Sequence, residues 1–158
     1  MSIRKLLALI SFSIIFAGSS VFAETTFEKI KRTGKVTVGT EAAFPPFEFV
    51  EDGKIVGYGK DILDYIVAEM KVELNQLDLP WQGILPGVLA GKFDFVATSV
   101  SIRAERAKKY AFTVPIAEGT NWVMKRSGDA SINTPDDLSG KVVCTQLASG
   151  SEKATKEW

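Results

Sequence analysis

The 158-residue sequence contains no histidine and only one cysteine, Cys144. Without histidine, the usual zinc ligand sets and any Ser-His-Asp or Cys-His catalytic arrangement are excluded. One cysteine cannot form a disulfide within the chain. Cys144 lies in the apolar run VVCT, which favours a small buried side chain on a strand. The alternative is a reactive thiol, or a bridging one whose partner lies beyond the end of this chain.

Clustered positive charge and phosphate-binding motifs are also absent. The chain has 19 basic and 19 acidic residues, and no run of five basic residues occurs. Its aromatic residues are not interleaved with Lys and Arg, as they are in grooves for single-stranded nucleic acid. No GKS or GKT triplet occurs, and Gly57-Tyr58-Gly59 lacks the third glycine of a dinucleotide-binding loop. We therefore expect no nucleic acid partner, no metal and no cofactor.

The N-terminus has the pattern of a secretory signal peptide. Arg4 and Lys5 precede an apolar core of eleven residues, 6–16, and small residues follow as far as Ala23. Eleven residues are too few to cross a hydrocarbon core of roughly 30 Å, which needs about 20 helical residues. We expect residues 1–23 to be removed after Ala23. Because no cysteine stands at the cleavage point, the product should be a soluble periplasmic protein without a lipid anchor.

Strand and helix patterns alternate along residues 24–113. Thr25 and Glu28 have capping-box spacing, and the short helix that they begin should end near Gly34. Strands are predicted at 36–40, 72–79 and 93–97, a hairpin at 47–58 with its turn at 51–53, and helices at 62–70, 81–90 and 105–110. Pro86 is expected in the first turn of its helix. The alternation predicts an α/β fold with a parallel sheet, helices on both faces and a ligand at the carboxyl ends of the strands.

The alternation breaks after residue 113, and a second unit is expected to begin at residue 121. Strands are predicted at 121–125 and 141–145, a helix start at 133–135, and a last helix opened by Ser149-Gly150-Ser151. No apolar segment follows that helix before Trp158. We therefore expect the second unit to be incomplete in this chain.

Three strand-to-helix connections carry candidate ligand-binding residues. The first contains Glu41 and Phe44, the second begins with Trp81, and the third contains several hydroxyl side chains and Arg106. A guanidinium group can bind a carboxylate through two hydrogen bonds. Taken alone, Arg106 is more typical of a solvated helix residue than of a ligand-binding one, and Arg103 is interpreted as solvated. The convergence of all three connections on one sheet edge favours a binding role for Arg106.

Residues 34–151 resemble the extracellular solute-binding proteins, family 3, of polar amino acid uptake systems. The resemblance lies in the order and spacing of GTEAAFPPFEF, GYGKDI, WQGILPGVLAGKFDF, SVSIRAERAKKYAFT and DLSGKVVCTQLASGS. It implies the type II fold of periplasmic binding proteins, in which two α/β lobes with central sheets close about a hinge. Lobe 1 would be residues 24–113, the hinge crossover 114–120, and the start of a truncated lobe 2 would be 121–158.

The resemblance implies nine ligand-binding residues: Glu41, Phe44, Trp81, Ser99, Ser101, Arg106, Ser149, Gly150 and Ser151. Phe44 and Trp81 would sandwich the ligand side chain. Arg106 would bind the ligand carboxylate. Ser99 and Ser101 would hold the ammonium and carboxylate groups through their backbone and hydroxyl groups.

The remaining implied contacts come from Glu41, near the side chain or amino group of the ligand, and from the helix start at 149–151. A helix N-terminus offers free amides and a favourable dipole to a carboxylate. The chain departs from the family pattern at four positions: Glu41, Gly59 and Val114 replace the usual Asp, and Ile116 replaces the usual Tyr. The last two lie at the hinge, so they bear on which ligand is bound.

The resemblance implies that the protein is the substrate-binding component of an ABC-type amino acid uptake system. It would capture a free amino acid as a monomer and deliver it to a membrane permease. Two alternatives stay open, because fold alone does not fix function. One is an exported dehydratase of the same fold, of the cyclohexadienyl or arogenate type, and the other is the ligand-sensing domain of a receptor. A carrier or sensor returns its ligand unchanged, whereas an enzyme does not.

Overall fold

The computed structural model describes residues 24–157, and the predicted signal peptide lies outside them. The elements in chain order are α1 (Thr26–Thr33), β1 (Lys35–Thr40), β2 (Ala43–Phe44), β3 (Glu48–Glu51), β4 (Lys54–Val56), α2 (Tyr58–Met70), β5 (Glu73–Asp78), α3 (Trp81–Leu89), β6 (Phe95–Val96), α4 (Ala104–Ala107), a 3₁₀ helix (Pro135–Leu138) and α5 (Gly150–Glu157). Across these residues, no helix combines the length and apolar character needed to cross a bilayer.

The first helix begins and ends as its sequence predicts. The Thr25 hydroxyl accepts a hydrogen bond from the Glu28 backbone N–H at 3.2 Å, and the Glu28 carboxylate accepts one from the Thr25 N–H at 2.9 Å. Gly34 ends α1 with a φ of 66°, a left-handed conformation that glycine adopts without steric cost. This reciprocal capping box is therefore confirmed.

The central sheet is parallel, with strand order β5-β1-β6. Its face toward α1 and α2 holds the apolar core: Val36 and Val38 of β1 pack with Ile30, Leu63 and Val67. These side chains come from alternate positions of a strand and from i and i+4 positions of a helix, which is the periodicity that one buried face requires. Sequence alternation thus predicted this layer correctly.

The opposite face of the sheet is covered by α3. Phe93 is buried there, between Gly39 of β1 and Gly87 of α3. A Cβ at Gly39 or at Gly87 would lie 2.6 Å from an atom of the Phe93 ring, so the Phe93 side chain fits here only beside glycine at both positions. Helices therefore cover both faces of the parallel sheet, as predicted.

A second, antiparallel sheet with strand order β2-β3-β4 lies between β1 and α2 in the chain. Its hairpin turns at Asp52 and Gly53, whose φ angles are 49° and 74°. Two successive residues with positive φ match the right-handed twist of the flanking strands. The predicted hairpin is therefore confirmed.

Three predicted details of residues 81–110 are wrong. Pro86 lies inside α3, because the helix begins at Trp81, one turn earlier than a first-turn proline requires. The strand predicted at 93–97 is reduced to Phe95–Val96, and the helix predicted at 105–110 is the single turn Ala104–Ala107. Asp94 and Ala97 still donate to the Thr37 and Gly39 carbonyls of β1, at 2.8 and 2.9 Å, so the predicted pairing is present and only the regular strand is shorter.

The C-terminal region, residues 114–157, departs furthest from prediction. The 3₁₀ helix starts at the predicted Pro135 and α5 starts at Gly150, but within the described chain residues 121–125 and 141–145 form no strand. Cys144 is exposed, so its interpretation as a buried strand residue is also wrong. A strand is stable only where another strand satisfies its backbone groups, and these segments pair with none among residues 24–157.

Candidate functional site

The three parallel strands end at one edge of the sheet, and hydrogen bonds join the strand ends. Thr40, the last residue of β1, lies opposite Asp78, the last residue of β5. The Thr40 hydroxyl donates to the Ala97 carbonyl at 2.8 Å and accepts from the Gln76 amide at 2.9 Å. The connections that follow the strands therefore start from fixed positions along one edge.

The first connection is tied to this edge and reaches across to the C-terminal region. The Ala42 N–H donates to the Asp78 carboxylate at 2.9 Å. The Glu41 carboxylate accepts a hydrogen bond from the Gln146 amide at 2.7 Å. Phe44 is half exposed, and its ring stacks on Phe47 with centroids 5.5 Å apart. Phe44 thus stays half accessible in the same connection that carries the acidic Glu41.

The second and third connections meet at Trp81 and Arg106. Trp81 is only 8% exposed, and the guanidinium carbon of Arg106 lies 5.3 Å from its ring centroid. Arg106 Nη1 donates to the Ser101 carbonyl at 3.1 Å. A cation held over an aromatic face and by a backbone carbonyl has a defined orientation. The structure therefore brings together three of the nine predicted residues.

The electrostatics of Arg106 favour a negatively charged ligand. Partial burial lowers the pKa of the Arg106 guanidinium most, and the nearby Arg103 lowers it further. Arginine nevertheless stays protonated in proteins. Among the described residues 24–157, no carboxylate forms an ion pair with Arg106. A partly desolvated cation beside a second cation is stabilised when an anion binds to it.

Arg103 is partly buried, and the sequence interpretation of a solvated side chain is wrong. Its Nη2 donates to the carbonyl of Gly150 at 3.0 Å, and its Nε is buried without a hydrogen-bond partner among the described residues. A Cβ at position 150 would overlap the Arg103 guanidinium. The contact spans 47 residues of sequence, and no local pattern near Arg103 could have indicated it.

The predicted helix start at 149–151 lies across a cleft from the third connection. This cleft of about 410 Å³ is lined by Arg103 and Arg106 on one side and by Ser149 and Gly150 on the other. The Ser149 hydroxyl accepts from the Glu152 N–H at 3.1 Å and so caps α5, and Ser151 bonds to Asn121. Of the nine predicted residues, Arg106, Ser149 and Gly150 line this cleft, whereas Glu41, Phe44, Trp81, Ser99, Ser101 and Ser151 do not.

Ser99 donates hydrogen bonds to Glu48, a residue that sequence reasoning missed. Glu48 is 2% exposed, and its carboxylate accepts hydrogen bonds from the Ser99 N–H, the Ser99 hydroxyl and the Thr98 hydroxyl. In FEFV, Glu48 looks like the polar position of a half-exposed strand. A buried carboxylate needs donors, and here the donors lie about fifty residues further along the chain.

Residues 36–157 match the family described as bacterial extracellular solute-binding proteins, family 3. Among curated relatives, the L-cystine-binding protein TcyJ of Escherichia coli K12 is 34% identical over 144 residues, covering 88% of this chain and 54% of TcyJ. The chain thus spans about half the length of this relative.

Solved structures of amino-acid-binding proteins share the fold. An arginine-bound, truncated ArgBP from T. maritima has a TM-score of 0.73 at 31% identity, covering 83% of this chain and 63% of that one. The ancestral amino acid-binding protein AncCDT-1, a precursor of cyclohexadienyl dehydratase, has a TM-score of 0.76 at 32% identity, covering 84% and 60%. The predicted periplasmic-binding-protein fold is therefore confirmed.

Proposed function

Since the chain belongs to the bacterial extracellular solute-binding proteins of family 3, we propose that it captures a free amino acid in the periplasm. The amino acid would bind at the edge where β1, β5 and β6 end, and the protein would deliver it, as a monomer, to the membrane permease of an ABC transporter. The similarity to an L-cystine-binding protein and to an arginine-bound protein supports an amino acid as the ligand class.

The environment of Arg106 is the observation that supports this proposal most directly. Its guanidinium is oriented by the Trp81 ring and the Ser101 carbonyl, lies beside Arg103, and is partly withdrawn from water. A ligand carboxylate can accept two hydrogen bonds from such a group and balance its charge at the same time. Solutes without a carboxylate leave the cation uncompensated, which makes the site selective.

The aromatic and acidic residues supply the rest of the proposed site. The half-exposed Phe44 would contact the ligand side chain, and the buried Trp81 would contribute by orienting the Arg106 guanidinium that lies over its ring. Glu41 would attract a positively charged ammonium or side chain, in exchange for its hydrogen bond to Gln146. The start of α5 would contribute backbone amides to the carboxylate across the cleft.

A thermal-shift screen with the twenty L-amino acids and L-cystine tests the proposal. At a ligand concentration a hundredfold above Kd, binding adds about 2.7 kcal/mol to the free energy of unfolding, so the cognate amino acid should raise Tm measurably. Phe44→Ala should reduce that shift without lowering Tm in the absence of ligand, because Phe44 is half exposed. If no member of the panel raises Tm, amino acid capture is rejected.

A dehydratase of the same fold is the second candidate, because the similar AncCDT-1 is described as a precursor of cyclohexadienyl dehydratase. The neighbour is itself described as an amino acid-binding protein, so the likeness supports binding before it supports catalysis. Mass spectrometry of each amino acid and of an arogenate substrate after incubation separates the two functions. A binding protein returns every compound unchanged, whereas an arogenate dehydratase converts its substrate into an aromatic amino acid with loss of water and carbon dioxide.

A further inference from the structure

Glu48 is a buried carboxylate to which sequence reasoning assigned no function. Its Oε1 accepts from the Thr98 hydroxyl and from the Ser99 N–H, both at 2.5 Å, and its Oε2 accepts from the Ser99 hydroxyl at 3.0 Å. All three donors belong to the connection that follows β6. Among residues 24–157 no Lys or Arg forms an ion pair with Glu48, so these hydrogen bonds alone compensate its burial.

These bonds determine what Ser99 can offer to a ligand. With its N–H and its hydroxyl proton both directed to Glu48, Ser99 keeps only acceptors: its carbonyl oxygen and the lone pairs of its hydroxyl oxygen. We propose that Glu48 is a positioning residue that turns Ser99 into an acceptor-only contact, so that this part of the site accepts an ammonium group and disfavours a carboxylate. This inference rests on the proposed capture of an amino acid.

Gly59 provides the room that this arrangement needs. A Cβ at position 59 would lie 2.7 Å from Glu48 Oε2 and 3.3 Å from the Phe47 carbonyl oxygen. Any side chain at 59 would therefore force a shift of the Glu48 carboxylate, the group that accepts from Ser99.

Glu48→Gln tests the proposal with little change in volume. The amide oxygen can still accept from the Ser99 N–H, but the amide nitrogen is a donor and cannot accept from the Ser99 hydroxyl, which must turn its proton elsewhere. We expect Kd for the panel amino acid that gives the largest thermal shift to rise by about 10- to 100-fold, as for loss of a hydrogen bond to a charged group. Kd within about threefold of wild type overturns the proposal.

Asp94→Asn is the matched control for a merely structural effect. Asp94 is also a buried carboxylate that accepts from a backbone N–H, that of Thr37 at 2.8 Å, but it precedes β6, at the end of the sheet opposite the site. This variant should lose stability while its amino acid Kd stays within about threefold of wild type. An equal loss of affinity in Asp94→Asn would show that Glu48 acts through stability alone.

Two further variants test the route from Glu48 to the ligand. Gly59→Ala leaves Glu48 and Ser99 intact and favours the helix that contains it, yet it should raise Kd like Glu48→Gln. In a Ser99→Ala background, Glu48→Gln should cost clearly less affinity than in wild type, because the hydroxyl through which it acts is gone. Additive losses, or a Gly59→Ala protein that binds like wild type, contradict the proposal.

Hydrogen exchange on the ligand-free protein provides a readout that does not depend on binding. The Ser99 amide should exchange faster in Gly59→Ala than in wild type, while the Val38 amide in β1 is unchanged. Unaltered Ser99 exchange overturns the proposal. The two inferences fail in different ways: a wild type that binds no panel member removes amino acid capture, whereas normal binding in the Glu48 and Gly59 variants removes only the role of Glu48.

Discussion

The N-terminal region, residues 24–113, and the C-terminal region, residues 114–157, differ in how far their apolar side chains are buried. Val38 of β1 is fully buried, with a paired strand on either side. Trp122 and Met124 are 86% and 97% exposed, although their segment also has strand-like composition. The comparison teaches that apolar composition produces a strand only where a neighbouring strand satisfies the backbone and a facing layer removes the side chains from water.

The largest difference between the two regions should appear in backbone hydrogen exchange. Amides of β1 open only with the whole sheet, at a cost near the global free energy of unfolding, whereas amides from about residue 130 onward open locally. For a stability of about 5 kcal/mol, this predicts protection several thousandfold higher in β1. Mass spectrometry or NMR of the monomer measures it. Strong protection after residue 130 would show that the contrast drawn from burial is wrong.

Arg106→Ala should give the next largest effect, on binding rather than on folding. Arg106 contacts Trp81 and Ser101 within the N-terminal region, so that region should keep its fold without it. Leaving a ligand carboxylate unpaired in a desolvated cleft costs about 2 to 5 kcal/mol, or roughly thirtyfold to several thousandfold in Kd by calorimetry. Arg106→Lys should restore only part of this, because it keeps the charge without the planar fork.

Arg103→Ala is the control for Arg106 and also probes the contact between the regions. Since Arg103 donates to the Gly150 carbonyl, its removal should speed exchange of the α5 amides. Because we assign it no ligand contact, the accompanying loss of affinity should stay below about tenfold, or 1.4 kcal/mol. If Arg103→Ala loses more affinity than Arg106→Ala, then Arg103 rather than Arg106 binds the ligand carboxylate.

The smallest effect comes from a single methyl group in the buried core. Ile84 of α3 is 0% exposed, so Ile84→Val should lower the free energy of unfolding by about 0.5 to 1.5 kcal/mol. Met124→Ala, in the C-terminal region, should change it by less than about 0.5 kcal/mol, because that residue is 97% exposed. Urea denaturation measures both. Equal losses would mean that Met124 is buried in solution.

Local signals predicted the N-terminal region well. The Thr25 and Glu28 capping box, the Asp52-Gly53 turn and the alternation of β1 each depend on residues close in sequence, and each is present. The strand at 141–145 had similar local support but no pairing partner within the described residues, and Cys144 is exposed. Strand prediction therefore failed where the described residues contain no segment for the predicted strand to pair with.

The same distinction explains what was found and missed in the site. The prediction of parallel strands was enough to place the Trp81 and Arg106 connections at one sheet edge, because the carboxyl ends of parallel strands point in the same direction. Glu48 and Arg103 act through Ser99 and Gly150, each about fifty residues away in the chain. Neither contact has a sequence signature, since any strand glutamate or helix-flanking arginine looks the same in isolation.

The Phe93 ring between Gly39 and Gly87 has a consequence for how this protein can evolve. The three positions share one fixed volume, in which two missing side chains make room for one large one. A substitution at one of them therefore changes which residues selection tolerates at the other two. Among homologous sequences, an alanine at position 39 or 87 should occur together with a side chain smaller than phenylalanine at position 93.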